Sequence, residues 1–292
     1  MASSPVASGS GCGKLILCGE HAVVYGYPAL AIGVTRATTV QLRRIPGLTT
    51  VHSAHGVDDR LVSAVHCVVG RTGWQVELTS DIPMGRGMGS SAALSVALVR
   101  AFATAKHVTL TTEQIHEQAL AVETLFHGTP SGIDNAVAAL GGLVHFRRTD
   151  AGPVWTSLPC PPLTVVVLDS GNAGNTRDLV AGVRQRHPGN TSILDAIGAL
   201  TPRIQTALND LDSLGPLLHQ NHRLLAELGV STPTLNALVR FAMTSGATGA
   251  KLAGAGGGGV VVAVTHTPDE LVAKATQAGI DAFCTPIATG VA

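Results

Sequence analysis

The sequence predicts a mixed α and β protein built from two domains. Its 292 residues exceed what one modest core usually holds and suit two domains of ordinary size. Strand patterns dominate the first 80 residues, whereas the second half combines helical and strand patterns. The prolines Pro159, Pro161 and Pro162 interrupt both patterns. We therefore place the domain boundary there, with an N-terminal domain at 1–160 and a C-terminal domain at 161–292.

Local patterns predict the main elements of the N-terminal domain. Residues 74–78 alternate between apolar and polar types, as a half-buried strand does. Residues 91–106 are rich in Ala, Leu and Val and contain neither Gly nor Pro, which predicts a helix. Thr111 and Gln114 form a capping box ahead of a second helix that ends near His127. Two further short strands are expected, at 15–17 and 38–42.

The C-terminal domain reads as helices combined with buried strands. Residues 163–168 and 260–264 are continuous apolar runs of strand length. Helices are expected between them, at 176–186, 192–209, 214–228 and 234–245. Residues 43–71 carry no recognisable pattern, so the adenine pocket is not assigned.

Composition and charge exclude several function classes. The chain has 19 basic and 19 acidic residues, so no overall field attracts it to nucleic acid or to an anionic membrane. Its five cysteines show no paired spacing, which argues against a disulfide framework or a zinc site. Residues 1–13 lack the features of a secretory signal, and no run of about 18 apolar residues occurs. We expect a cytoplasmic protein.

A glycine-rich loop just before the helix at 91–106 is the strongest chemical motif. Gly85, Gly87 and Gly89 alternate there, and glycine lets a backbone approach an anion closely. The start of the helix adds free N–H groups and a positive dipole end. The Ser90 and Ser91 hydroxyls can cap the helix, contact phosphate or bind magnesium. We interpret the loop as a phosphate cradle of an ATP-using enzyme; the alternative is a plain Gly/Ser turn capped by serine.

Two better-known glycine motifs do not match. The spacing Gly-x-Gly-x-Gly differs from the dinucleotide pattern Gly-x-Gly-x-x-Gly, and no βαβ pattern surrounds it. Lys14 follows Gly13, but Ser8 occupies the place of the first P-loop glycine and Leu15 that of the Ser/Thr. Neither a Rossmann nor a Walker A site is predicted.

Two further segments identify a family. Lys14 precedes Gly-Glu-His-Ala-Val-Val-Tyr-Gly at 19–26, and Lys-Leu-Ala-Gly-Ala-Gly-Gly-Gly-Gly stands at 251–259. Together with the serine loop, and in this order, they resemble the GHMP small-molecule kinases over about residues 13–264. The resemblance implies ATP and Mg²⁺ as cofactors. It also implies an N-terminal domain related to ribosomal protein S5 domain 2, a ferredoxin-like C-terminal domain and a site between them.

The acceptor is implied by finer similarities. Residues 19–26, 126–135 and 175–184 resemble the branch of the family that phosphorylates mevalonate to 5-phosphomevalonate. Galactokinases carry Arg and Asp at the places of Lys14 and Val23, so a sugar is disfavoured. The alternatives are a sister kinase acting on phosphomevalonate, homoserine or a sugar, and a non-catalytic binding protein on the same fold.

The same resemblance assigns catalytic and metal roles. Asp134 would be the general base on the acceptor hydroxyl, and Lys14 would stabilise the reacting oxygen and the transferring charge. Glu123 and Ser91 would bind Mg²⁺, which needs few protein oxygens. Plain alternatives are a helix N-cap for Asp134 and a solvated side chain for Glu123. The nucleotide would bind along the whole loop: Gly85, Arg86, Gly87, Met88, Gly89, Ser90 and Ser91.

Further positions are expected on the acceptor side. Besides Lys14 and Asp134, the resemblance places Glu20, His21, Thr176 and Gly256 near the substrate; these residues match family positions less specifically. Arg86 occupies a position where a small residue is common. Its side chain either contacts the nucleotide or points into solvent, and we favour solvent. Mevalonate and ATP are the expected partners, with no nucleic acid and no membrane, and a homodimer is left open.

Overall fold

The computed structural model describes residues 6–127 and 132–288. Within them, the N-terminal half forms a six-stranded sheet in the order β3-β4-β2-β5-β6, with β1 paired to β2. All pairs are antiparallel except β3 with β4. The strands are β1 (Ala7–Cys18), β2 (Ala29–Leu48), β3 (Thr50–Ser53), β4 (Thr72–Ser80), β5 (Leu143–Thr149) and β6 (Gly152–Leu158). The helices are α1 (Asp59–Val69), α2 (Ser90–Ala105), α3 (Thr112–His127) and α4 (Ile133–Leu140).

Helix α2 lies directly on β1, because small residues let the two backbones approach. A Cβ atom at Gly9 would lie 2.2 Å from the Ala101 nitrogen, and one at Gly11 would lie 2.3 Å from the Ala93 oxygen. Larger side chains at these glycines would therefore push the helix away. The contact fixes the start of α2 beside the middle of β1, where Lys14 lies.

The second half forms a four-stranded antiparallel sheet in the order β10-β7-β9-β8 within the described residues. With one crossover containing α5 to α8 and another containing α9, this is a ferredoxin-like order. Its strands are β7 (Thr164–Asp169), β8 (Gly249–Ala253), β9 (Val260–Val264) and β10 (Ala282–Pro286). Its helices are α5 (Thr176–Gln185), α6 (Thr191–Ala207), α7 (Leu211–Glu227), α8 (Pro233–Thr244) and α9 (Pro268–Gln277).

The two sheets share one apolar core. Leu15 and Leu17 of β1 belong to the same buried cluster as Leu252 of β8 and Val261 of β9. Burial of such side chains contributes about 1.5 to 3 kcal/mol each. The shared core holds β1 and β8 together, so the ends of both strands meet at one place.

The predicted mixed α and β fold of two domains is confirmed by the comparisons given below. The capping box is present: the Thr111 nitrogen donates to Gln114 Oε1 at 2.9 Å, and the Gln114 nitrogen donates to Thr111 Oγ1 at 3.3 Å. Within 43–71, where the sequence shows no recognisable pattern, the structure contains α1 with Asp58 as its N-cap. Across 6–127 and 132–288, no helix has the length and apolar character needed to cross a membrane.

Candidate active site

The glycine loop ends in a helix start that is open to a ligand. Gly85, Gly87 and Gly89 have φ values of 69°, 74° and 73°, in the left-handed region where glycine is favoured. Gly89 is the N-cap of α2, and no side chain caps this helix. The first N–H groups of α2 therefore lack an intrahelical acceptor, and the positive dipole end lies among them. The serine-capped turn is thus excluded, and the geometry suits an anion.

Lys14 joins this loop to Asp134. Its backbone nitrogen donates to the Met88 oxygen at 2.9 Å, and its buried Nζ lies 3.1 Å from Asp134 Oδ1. Asp134 is in the first turn of α4, whose N-cap is Gly132, so Asp134 is not the helix cap. Its side chain is 36% exposed while that of Lys14 is 5% exposed. The Asp134 carboxylate is therefore accessible to a ligand, while the buried Lys14 ammonium group forms an ion pair with it.

Glu123 of α3 is a buried carboxylate that lies beside the first turn of α2. Ser91 Oγ donates to Glu123 Oε1 at 2.7 Å, and Ser95 Oγ donates to Oε2 at 3.2 Å. Burial is the main reason that the Glu123 pKa is raised to about 7. The hydrogen bonds from Ser91 and Ser95 and the charge of Lys14 act against this rise in pKa, whereas the charge of Asp134 acts with it. The electrostatic coupling places Glu123, Asp134 and Lys14 in one site. The plain alternative of a solvated Glu123 is excluded.

These oxygens fit a magnesium ion. Mg²⁺ prefers carboxylate, hydroxyl and phosphate oxygens and takes few of them from protein. Glu123 and Ser91 supply such oxygens side by side, and a buried carboxylate gains from a cation beside it. His127 Nε2 is also close, 3.4 Å from Glu123 Oε1 and 3.2 Å from Ser91 Oγ. In the described parts of the chain, no group of three or more His, Cys, Asp and Glu residues could hold a metal.

The segment after β1 contributes two buried side chains, one bonded to the loop at 254–259 and one paired in the interior. His21 Nε2 lies 2.9 Å from the Ala255 carbonyl oxygen, and burial lowers the His21 pKa, so the neutral ring donates this bond. Glu20 points into the protein interior. Its carboxylate is 1% exposed and pairs with Lys251 Nζ, while Asn221 Nδ2 donates to it at 3.2 Å. The expected substrate contact of Glu20 is therefore not supported, because both of its oxygens are occupied within the protein.

The second glycine loop, residues 254–259, packs by its backbone against the first glycine loop, residues 85–91. Gly256 has φ 86°, and a Cβ there would lie 2.1 Å from the Val230 oxygen. A Cβ at Gly259 would lie 2.8 Å from the Arg86 oxygen. Gly256 thus approaches protein backbone on at least one side and can meet a ligand only through its main chain. Thr176 is exposed at the first position of α5, two residues after Gly174, which packs against the Gly256 oxygen.

Arg86 does not point into solvent. Its Nε donates to Asp169 Oδ2 at 2.8 Å, and its side chain is only 23% exposed. The expectation of a solvated arginine is wrong, because an acid at the end of β7 lies within reach of the loop.

Sequence reasoning missed three residues that the structure brings to this region. Lys251 is fully buried in β8, and a lone lysine between Ala250 and Leu252 in an apolar strand was a usable sign. His127 stands four residues after Glu123, the helical spacing at which side chains meet. Asp169 had no sign in the sequence, because its partner Arg86 comes from the other half of the chain.

The fold and this site are those of a small-molecule phosphotransferase. Comparison with known proteins identifies the family. The family model for the GHMP kinases N terminal domain matches residues 57–142, and that for the GHMP kinases C terminal matches residues 200–281. The chain belongs to the GHMP kinase family.

Two relatives that match this chain along most of its length are both mevalonate kinases. The mevalonate kinases of Thermococcus gammatolerans and Pyrococcus abyssi are 36% and 35% identical, with 90% of each chain covered. The crystal structure of L. major mevalonate kinase in complex with R-mevalonate superposes with a TM-score of 0.90 at 28% identity, covering 98% of this chain and 97% of that one. A galactokinase from Lactococcus lactis, at 18% identity and a TM-score of 0.76, shares the fold.

Proposed function

We propose that this protein transfers the γ-phosphoryl group of ATP to the primary hydroxyl of (R)-mevalonate, forming 5-phosphomevalonate. The observation that carries the proposal is the position of Lys14. Its backbone nitrogen is hydrogen-bonded to the glycine loop, and its Nζ forms an ion pair with Asp134. A phosphate bound at the loop and an alcohol bound at Asp134 would therefore both lie beside this ammonium group. Relatives at about 35% identity and a structure with bound R-mevalonate support this acceptor.

Each residue has a role that follows from its position. Asp134 accepts the proton of the acceptor hydroxyl, because its carboxylate is the exposed member of the ion pair. Lys14 stabilises the developing alkoxide and the charge on the transferring group. The α2 N–H groups and the glycine backbone bind phosphate oxygens, and His21 holds the second glycine loop at Ala255. Positioning and charge neutralisation are what phosphoryl transfer chiefly requires.

Glu123 and Ser91 would hold the magnesium ion, which supplies charge neutralisation on the nucleotide phosphates when bound. Ser91 is in the first turn of α2 and Glu123 of α3 is hydrogen-bonded to it, so a metal held by both would be next to the phosphate cradle. Thr176 and Gly256 remain proposed substrate-side positions. We also propose a cytoplasmic location, and we leave a homodimer as the assembly to be tested.

A substrate panel tests the acceptor. With ATP and Mg²⁺ present, mevalonate should give ADP with a kcat/KM at least about a hundredfold above phosphomevalonate, homoserine and galactose, because a site with placed polar groups rejects acceptors that leave them unpaired. ADP release is the measurement, and ADP release without acceptor is the control. A stronger response to another acceptor would replace mevalonate, and ATP binding without transfer to any acceptor would favour a binding protein.

Glu123→Gln should make the ligand-free protein more stable above pH 7 by roughly 1 to 3 kcal/mol. The Glu123 pKa is about 7 in the folded state against an ordinary value of 4.5, so ionisation opposes folding increasingly as pH rises through this range. Below pH 4.5 the two proteins should be equally stable. Urea unfolding at several pH values measures this difference.

The same variant should lose most of the Mg²⁺-dependent part of ATP binding, measured by calorimetry with and without the metal. The exposed Glu117→Gln on the same helix is the matched control and should change neither quantity. A Glu123→Gln protein that is no more stable at pH 8 would contradict the raised pKa of Glu123. One that binds Mg²⁺ and ATP normally would remove Glu123 from the metal site.

A further inference from the structure

An ion pair connects the first glycine loop to the C-terminal sheet. Arg86 Nε donates to Asp169 Oδ2 at 2.8 Å, and the two side chains are 23% and 15% exposed. Arg86 stands between Gly85 and Gly87, whereas Asp169 is the last residue of β7. A charge-assisted bond with this degree of burial is stronger than a surface ion pair. It is therefore able to influence the position of the loop.

Asp169 is held rigidly on its own side. Its backbone pairs with Val260 in the β7–β9 ladder, and its backbone nitrogen donates to the Asp281 oxygen at 2.8 Å. Its second carboxylate oxygen, Oδ1, accepts the Gly171 nitrogen at 2.8 Å. Both oxygens are thus engaged, and the carboxylate is a fixed point on the sheet.

The loop on the other side is anchored at its C-terminal end, where Met88 is buried in the shared core. Three of its residues are glycines with positive φ, which leave the backbone with several accessible conformations. Its backbone touches the second glycine loop: a Cβ at Gly259 would lie 2.8 Å from the Arg86 oxygen, and one at Gly87 would lie 3.9 Å from the Ala253 oxygen. Such contacts bring little burial to the glycine part of the loop, so Arg86 is the side chain that ties this part to the C-terminal sheet.

We propose that Arg86 and Asp169 form a latch that holds the first glycine loop in its phosphate-binding conformation against the second glycine loop. Arg86 is then a positioning residue that acts through the loop backbone, and it is not itself a phosphate ligand. The proposal rests on the proposed use of ATP. The latch should govern nucleotide affinity and leave the affinity for the acceptor alcohol unchanged, since the alcohol meets Lys14 and Asp134 on β1 and α4.

Two single variants and their combination test the latch. Arg86→Ala and Asp169→Asn should each raise the KM for ATP about tenfold, the change that corresponds to about 1.4 kcal/mol. The double variant should be no weaker than either single one, because the interaction is already lost. The KM for the acceptor should stay within about twofold. Direct ATP titration by calorimetry should give the same order of affinities.

Arg86→Lys provides a conservative variant, which should recover part of the affinity, since lysine keeps the charge but loses the planar guanidinium geometry. Asp212→Asn is the matched control: it removes an exposed acid that pairs with His266 in the same half of the chain, and it should leave the KM for ATP unchanged. Thermal unfolding of every variant separates a moved loop from a failed fold.

The outcomes are distinct. A raised KM for ATP in Arg86→Ala with a normal value in Asp169→Asn would show direct nucleotide contact by Arg86 and overturn the latch. Normal values in both, or additive losses in the double variant, would overturn it as well. If the wild-type protein phosphorylates no acceptor, the proposed function fails, whereas the ATP titrations still decide the latch.

Discussion

Asp134→Asn should lower kcat by about 10² to 10⁴ while ATP still binds with nearly normal affinity. The amide has almost the shape of the carboxylate but cannot accept the proton of an alcohol. Asp134 is the exposed member of the pair with Lys14, so no neighbouring group that the structure describes replaces it at the same position. Single-turnover ADP formation measures the rate, and calorimetry measures ATP binding.

Asp150→Asn is the matched control for this variant. Asp150 is exposed in the turn between β5 and β6, so the same chemical change there should leave kcat unaltered. A near-normal kcat in Asp134→Asn would remove Asp134 from the mechanism. A loss of ATP binding that accounts for the whole defect would assign it to nucleotide binding instead.

Lys251→Met should destabilise the protein by about 3 to 5 kcal/mol, because it leaves the Glu20 carboxylate buried without its cation. Lys251 is fully buried, and its Nζ also donates to the Ile16 oxygen at 3.1 Å. The pair thus joins β8 to the segment around Glu20 inside the protein. Urea unfolding measures the difference in the free energy of unfolding.

Removing both charges should cost less than removing one. The Glu20→Met/Lys251→Met protein has no unpaired buried charge, so its stability should lie between those of the wild type and the single variant. Lys274→Met is the control, because Lys274 is exposed on α9, and its loss should cost within about 0.5 kcal/mol. A single variant as stable as this control would show that the Glu20 contact does not need its charge.

Local patterns were enough for elements whose residues interact with near neighbours. The helix at 91–106 and the capping box at Thr111 depend on intrahelical bonds and first-turn contacts, and the structure has both. Helix α1 was missed although Leu61, Ala64 and Val65 form a buried stripe behind Asp58. With Val69 the stripe extends over about two turns, and a short pattern of that kind is ambiguous until other elements cover it.

The motifs and their order, by themselves, determined the family, because each motif places particular residue types at fixed spacing in one segment. They also pointed to Lys14, Ser91, Glu123 and Asp134, whose roles stay predictions. Only the tertiary structure decided the roles of Arg86 and Glu20. Their partners Asp169 and Lys251 lie 83 and 231 residues away in the chain. Such contacts arise when two separate sheets share one core, and no local spacing encodes which side chains then face each other.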